Sequence, residues 1–319
     1  MSDLITPVAA FALGTALARA NSCTVASTRR LVIERRSDWL LGLLVAISWS
    51  GLTLSLFALA MPGRTYMPMQ MPIALPLAAG GVLLGVGATL NGGCFLGSVR
   101  RLGRGDLNYL FTLAGIALAM AVVGRLFAGG SPHLAMAHGI ANLRPNDSIA
   151  WATAVFAPIA AYGLWQATSR RRETKLALIA VGVAGGVVYA CNPDWSYTTG
   201  LARAVQGQLD GNQSSAETGA VALVCGVIVS SALKHEFALR RPRLKPALGC
   251  LFGGALMGTG AMLIPGGNDT LMLWAIPGLT AYGPAAYAIM IATIAVLMLA
   301  WQRFGPEPGN RARGSKPSG

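Results

Sequence analysis

Charge is scarce in this chain. Of its 319 residues 12% are charged and 54% are hydrophobic, whereas a soluble domain carries roughly 25% charged residues. No polar stretch is long enough for a second, soluble domain; the longest are 128–148, 169–175 and the Gly/Pro/Arg/Lys tail 304–319, whose composition reads as disordered. Acidic residues are scarcer still. All twelve fall in loops or in breaks between apolar runs, and none is central to a run. Proton and cation pumps need carboxylates inside the membrane, so this distribution points to an anionic or neutral substrate. Cysteine is limited to Cys23, Cys94, Cys191, Cys225 and Cys250, an odd number without a CxxC spacing, which speaks against zinc and against a disulfide framework. His133, His138 and His235 lie in loops without metal-ligand spacing, so neither a metal nor a cofactor is expected. A basic segment before the first apolar run is missing too: Asp3 stands there, which favours a retained first helix, broken near Arg19, over a cleaved signal.

What is present is apolar sequence in long runs. Nine candidate spans of a membrane occur, at 4–18, 39–61, 71–90, 107–124, 149–168, 175–191, 220–233, 247–263 and 283–301. The net charge of +13 follows their order. With the loops after odd-numbered spans on one side, that side holds 21 of the 25 Lys and Arg, leaving only Arg64, Arg125, Arg144 and Arg203 opposite. Basic residues collect on the cytoplasmic side. The expectation is a multi-pass protein of the bacterial inner membrane, N-terminus outside and C-terminus cytoplasmic, its basic excess serving topology rather than nucleic acid.

Two segments repeat one another. Residues 80–93 read GGVLLGVGATLNGG and residues 253–266 read GGALMGTGAMLIPG, aligned without a gap at an offset of 173. The repeat divides a single membrane domain (1–319) into a first half at 4–127, a linker helix at 149–168 and a second half at 175–303. Because an odd number of spans separates equivalent helices, the halves face opposite ways, an inverted-topology repeat. The fold class expected is all-α and polytopic, about nine transmembrane helices with short re-entrant helices.

Four segments do not read as ordinary loops: 21–32, 91–105 and, at the same offset, 194–205 and 264–278. Each is semi-apolar, about a dozen residues long, and opened by Gly, Pro, Asn or Asp. Non-helical backbone at membrane depth is tolerated only where protein buries it or it lines a cavity. A half-helix N-terminus offers N–H groups to an anion, and glycine pairs admit a ligand close to the backbone. The candidate pathway residues are therefore Gly92, Gly93 and Cys94, Cys23, and Gly266, Gly267 and Asn268, with Cys191 and Ser196 at the third break as further possibilities. Gly81-x-x-x-Gly85 and Gly254-x-x-x-Gly258 are expected to pack helices, and Cys225 and Cys250 to fill space within spans.

The segments ANSCTVAS, GGVLLGVGATLNGGCFLG and GGALMGTGAMLIPGGND resemble the YeeE/YedE family of sulfur-compound transporters, which includes thiosulfate permeases. The resemblance covers most of the chain. It implies an hourglass-shaped inner-membrane protein that is not an enzyme and that passes a small sulfur-containing anion, thiosulfate or a relative, past cysteines that make S–H contacts with it. Cys23 and Cys94 match two of those positions. The third, late in the chain, has no counterpart: the matching stretch is Pro265-Gly266-Gly267-Asn268-Asp269, and the offset carries Cys94 onto Gly267 and Cys23 onto Ser196. The alternative reading is a membrane-bound sulfur relay, in which Cys23 or Cys94 carries a persulfide to a small cytoplasmic sulfurtransferase.

Overall fold

Lipid offers no hydrogen bonds, so an apolar run in a membrane satisfies its backbone within its own segment, as a helix. The computed structural model describes residues 2–20, 22–61, 64–126, 138–140, 147–167, 172–195, 214–264 and 266–304. Within these, the long helices of the first half are α1 (Ser2–Arg19), α3 (Asp38–Ala60), α4 (Leu75–Asn91) and α6 (Asn108–Leu126), with the short α2 (Thr24–Val32) after α1 and α5 (Phe95–Gly103) after α4. Helix α7 (Asp147–Ala167) follows, then α8 (Arg172–Cys191), α9 (Ser214–Leu233), α10 (Leu244–Leu263), the single turn α11 (Asn268–Thr270) and α12 (Tyr282–Phe304). Helix α11 runs directly into a π-helical turn, Leu271–Ala275.

Six helical stretches among the described residues are long and apolar enough to cross a membrane: Leu4–Val32, Asp38–Ala60, Leu75–Gly103, Glu173–Cys191, Leu244–Leu263 and Tyr282–Phe304. The chain is thus an all-α membrane protein. Two of these stretches are α1 with α2 and α4 with α5, each interrupted where the sequence shows a break. The helices start and stop close to the apolar runs, with the largest shift at α9, which begins at Ser214 rather than at 220.

Packing is organised around a close crossing of α4 and α10. A Cβ on Gly87 would lie 2.6 Å from the carbonyl oxygen of Gly253, and one on Gly260 would lie 2.8 Å from that of Gly80. Contact so close is possible only without side chains. Gly81 and Gly85 seat α12 against α4, while Gly254 and Gly258 seat α6 against α10. Helix α1 packs on α8 and α9, and α3 on α7 and α8. Leu4, Leu56, Val221, Phe252 and Val296 are largely exposed on the outside of this assembly, as side chains facing lipid are.

The connections pair within each end of the molecule. After α3, β1 (Tyr66–Pro68) pairs antiparallel with β2 (His138–Ile140), which follows α6. The sequence pattern gives no sign of these strands, which are too short to show alternation, and His138 lies in one rather than in a plain loop. At the arginine-rich end, Arg104 in the α5–α6 turn binds Glu236 after α9, Lys234 binds Glu173 at the start of α8 at 2.7 Å, and Arg30 at the end of α2 binds Asp38 at the start of α3 at 3.5 Å.

Candidate functional site

Helix α4 ends because Gly92 takes a left-handed conformation (φ 71°), with Gly93 N–H donating to Ala88 O at 3.0 Å and Gly92 N–H to Thr89 O at 3.1 Å. This is a Schellman closure, and it turns the chain so that Cys94 becomes the N-cap of α5. The α1–α2 break does the same for Cys23, the N-cap of α2, and Gly267 is the N-cap of α11. All three N-caps are extended, and none supplies a side-chain capping hydrogen bond. A helix begins with N–H groups that have no partner inside the helix, so the first turns of α2 and α5 point N–H groups toward the break.

The structure brings Cys23 and Cys94 together. Their Sγ atoms are 3.9 Å apart, with Cys94 fully buried and Cys23 half-buried. Neither thiol faces lipid. Gly97, one turn into α5, makes room for the pair: a Cβ there would lie 2.8 Å from Cys23 Sγ and 3.7 Å from Cys94 Sγ.

The second-half break meets the first at this place. Phe95 N–H, the first amide of α5, donates to Asn268 Oδ1 at 3.0 Å. The two residues are 173 apart, so equivalent positions of the repeated sequence touch each other. Asn268 is fully buried, and its Nδ2 has no hydrogen-bond partner among the described residues. That amide group therefore sits at the N-terminus of α5, beside Cys94, with donor capacity to spare. Gly266 (φ 92°) and Gly267 precede it, and a Cβ on Gly267 would lie 2.7 Å from the Phe95 ring. The position equivalent to Cys94 therefore has no room for a side chain: Asp269 Oδ1, 2.6 Å from such a Cβ, and the Phe95 ring occupy its space.

Several residues that hold the site escape the sequence reading. Asn91, which in the sequence only opens a break, is a hub. Its Nδ2 donates to Gly93 O and Ser98 Oγ, both at 2.7 Å, and its Oδ1 accepts from Thr112 Oγ1 at 2.6 Å. Ser98 Oγ in turn donates to Cys94 O at 3.0 Å. Behind this hub Arg101 donates to Tyr109 OH at 2.6 Å, and that hydroxyl to Asn91 O at 3.2 Å. On the other flank Thr24 and Tyr287 share a buried hydroxyl–hydroxyl hydrogen bond of 3.0 Å, anchoring α2 to α12. The visible signal for Asn91 is a lone amide closing a long apolar run. The π-turn is fully buried and held by Ser50 Oγ donating to Leu273 O at 2.6 Å and by Tyr189 stacked on Trp274 at 5.7 Å.

The remaining cysteines stand apart. Cys191 closes α8 and is half-buried, and Cys250 is buried in α10. Cys225 is exposed on α9, which corrects the expectation that it fills interior space; α9 is apolar all round, so its sequence does not tell inside from outside. Ser196 lies outside the described residues. Among the described residues no group of three or more His, Cys, Asp and Glu is placed to hold a metal ion.

Broken helices, a buried thiol pair and a spare amide donor define a class: a polytopic membrane protein with a polar site buried among its helix ends. A family profile described as sulphur transport matches the chain twice, over residues 19–180 and 161–296, and the chain belongs to this family, that of the YeeE/YedE proteins. No curated protein matches it.

Proposed function

We propose that the chain carries a small sulfur-containing anion, thiosulfate-like, across the bacterial inner membrane through the place where the short helices meet. The observation that carries this reading is the Cys23–Cys94 thiol pair, 3.9 Å apart, set at the N-caps of two short helices and next to the spare donor of Asn268. A polarizable sulfur accepts weak S–H hydrogen bonds, while the oxygens of the same anion accept from the Asn268 amide and the first-turn N–H groups. Gly92, Gly93, Gly266 and Gly267 shape the breaks on either side. Burial weighs against a sulfur relay through Cys94, because a persulfide handed to a soluble sulfurtransferase needs a thiol at the surface and Cys94 is fully buried, whereas Cys23 is half-buried.

The same reading holds that the protein has nine spans in an inverted repeat, N-terminus outside. Three contacts support the repeat: Gly80 with Gly260, Gly87 with Gly253, and Phe95 with Asn268. The first two exchange partners across the offset, as an isologous contact does, and the third joins equivalent residues directly. The double match of the family profile agrees with it.

The test is growth of a strain lacking sulfate and thiosulfate uptake, supplied with single sulfur sources and expressing this chain. Growth on thiosulfate that is lost in Cys94→Ala, with the variant still in the membrane, is the expected result. Rescue by Cys94→Ser equal to the wild type would remove any special role for the thiol. A persulfide on Cys23 or Cys94 found by mass spectrometry during turnover would favour the relay instead.

A further inference from the structure

A second cavity lies behind the Cys94 break and shares Asn91, Gly92, Arg101 and Tyr109 with the hub that holds it. At the arginine-rich end this cavity, of about 780 Å³, opens between the end of α4, the start of α6 and the start of α10. Five cations line it, Arg101, Arg240, Arg241, Arg243 and Lys245, against a single carboxylate, Asp106. That carboxylate is engaged: its Oδ1 accepts from both Asn108 N–H, at 3.2 Å, and Asn108 Nδ2, at 2.8 Å. Elsewhere at this end Arg30, Arg104 and Lys234 each have an acidic partner. Among the described residues Arg240, Arg241, Arg243 and Lys245 have none.

The cations are held by backbone rather than carried on a loose loop. Arg240 N–H donates to Gly105 O at 2.8 Å, Leu107 N–H to Arg240 O at 3.2 Å and Ala238 N–H to Arg104 O at 3.0 Å. Arg243 N–H donates to Asn108 Oδ1 at 2.9 Å and fixes the start of α10. Four unpaired cations on a stitched frame repel one another unless an anion joins them.

We propose that this cavity binds the phosphate headgroup of an anionic phospholipid. Phosphate suits several convergent guanidinium groups, which offer it paired N–H donors. Lipid, rather than free phosphate, is indicated by the rim. Leu90 lines the cavity and is 51% exposed, and Leu244, Leu248 and Phe252 continue outward along α10 at 77%, 43% and 61% exposed. A headgroup in the cavity thus lays its acyl chains along an apolar helix face. Basic cavities between helices at the cytoplasmic surface suit such headgroups. The lipid reading rests on the basic lining and the apolar rim, although the cavity shares Asn91 and Gly92 with the break after α4.

The test uses the full chain in detergent, titrated with phosphatidylglycerol, cardiolipin, phosphatidylcholine or inorganic phosphate, and followed by thermal unfolding and native mass spectrometry. The anionic lipids are expected to bind saturably and raise the melting temperature, and phosphatidylcholine and inorganic phosphate to do neither. Changing Arg241, Arg243 and Lys245 together to Gln is expected to weaken anionic-lipid binding roughly 100-fold, since each basic residue near such lipids contributes about five-fold. Arg241→Gln alone, an exposed position, is expected to cost about five-fold and covers the case in which the triple variant does not fold. A control triple, Arg29→Gln, Arg35→Gln and Arg303→Gln, removes as much charge elsewhere and is expected to bind like the wild type. Equal loss in the control would reduce the effect to diffuse charge and overturn the site. Undiminished binding in Arg241→Gln and the pocket triple would also overturn it, and inorganic phosphate binding as tightly as lipid would overturn the lipid assignment.

Discussion

At the scale of single residues, Asn268 separates architecture from chemistry. Its Oδ1 accepts from Phe95 N–H while its Nδ2 is spare and buried. Asn268→Ala removes the acceptor of a buried hydrogen bond, at a cost of about 1–3 kcal/mol, expected as a lower melting temperature in detergent. Asn268→Asp keeps the acceptor and replaces the donor by a negative charge. Beside the buried Asp269 an unpaired carboxylate costs stability, so the melting temperature is expected to fall, and the variant that still reaches the membrane is expected to take up a sulfur anion ~10-fold less or worse, through like-charge repulsion in a poorly screened place. Wild-type uptake by a well-folded Asn268→Asp would place the anion elsewhere. Cys225→Ala is expected to leave both fold and uptake unchanged, because that thiol lies on the outside of α9. Residue-scale legibility was uneven. The cysteine pair was readable because Cys23 and Cys94 each follow a break signal. The Asn91 hub was not, since its partners Ser98, Tyr109 and Thr112 come from α5 and α6 and share no local pattern with it.

Elements were more legible than side chains. Lipid demands helices and helices in lipid demand length, so runs of apolar residues mark nearly every long helix. The breaks were legible for a complementary reason: Gly92 supplies a left-handed turn that other residues adopt at a cost, and glycine pairs inside an apolar run have little other use. Two features stayed hidden. The π-turn at Leu271–Ala275 replaces, in the second half, the regular helix that α5 forms in the first; it depends on one extra residue per turn, which no composition reveals. The face each helix turns to lipid is equally hidden, because these helices lack a polar stripe. Close glycine contacts give a test at this scale. Gly87→Ala places a methyl 2.6 Å from Gly253 O, and overpacking of this kind costs about 1–3 kcal/mol. Gly249→Ala meets only Leu90 O, at 3.3 Å, and is expected to be milder. Thermal melts of the two variants side by side check the difference; equal stability would mean that the α4–α10 crossing is looser than described.

For the molecule as a whole, the distribution of basic residues and the pairing of loops agree. The two strands join connections that the charge pattern puts on the arginine-poor side, and the ion pairs of Arg30, Arg104 and Lys234 join connections on the other. An external N-terminus and a cytoplasmic C-terminus are expected from reporter fusions at each end. Termini found on one side would remove the odd number of spans and the inverted repeat with it.

The hydrogen bond from Phe95 to Asn268 also sets a clock. Its partners are separated by 173 residues, and a ribosome adds about 5–20 residues per second, so roughly 9–35 s of synthesis pass between them. Throughout that interval α5 lacks the Asn268 acceptor for its first amide, and the glycine face of α4 waits for an α10 that does not yet exist. The first half enters the bilayer as an unfinished object. It is during biogenesis, before the second half arrives to close it, that this protein is most exposed to proteolysis and mispairing.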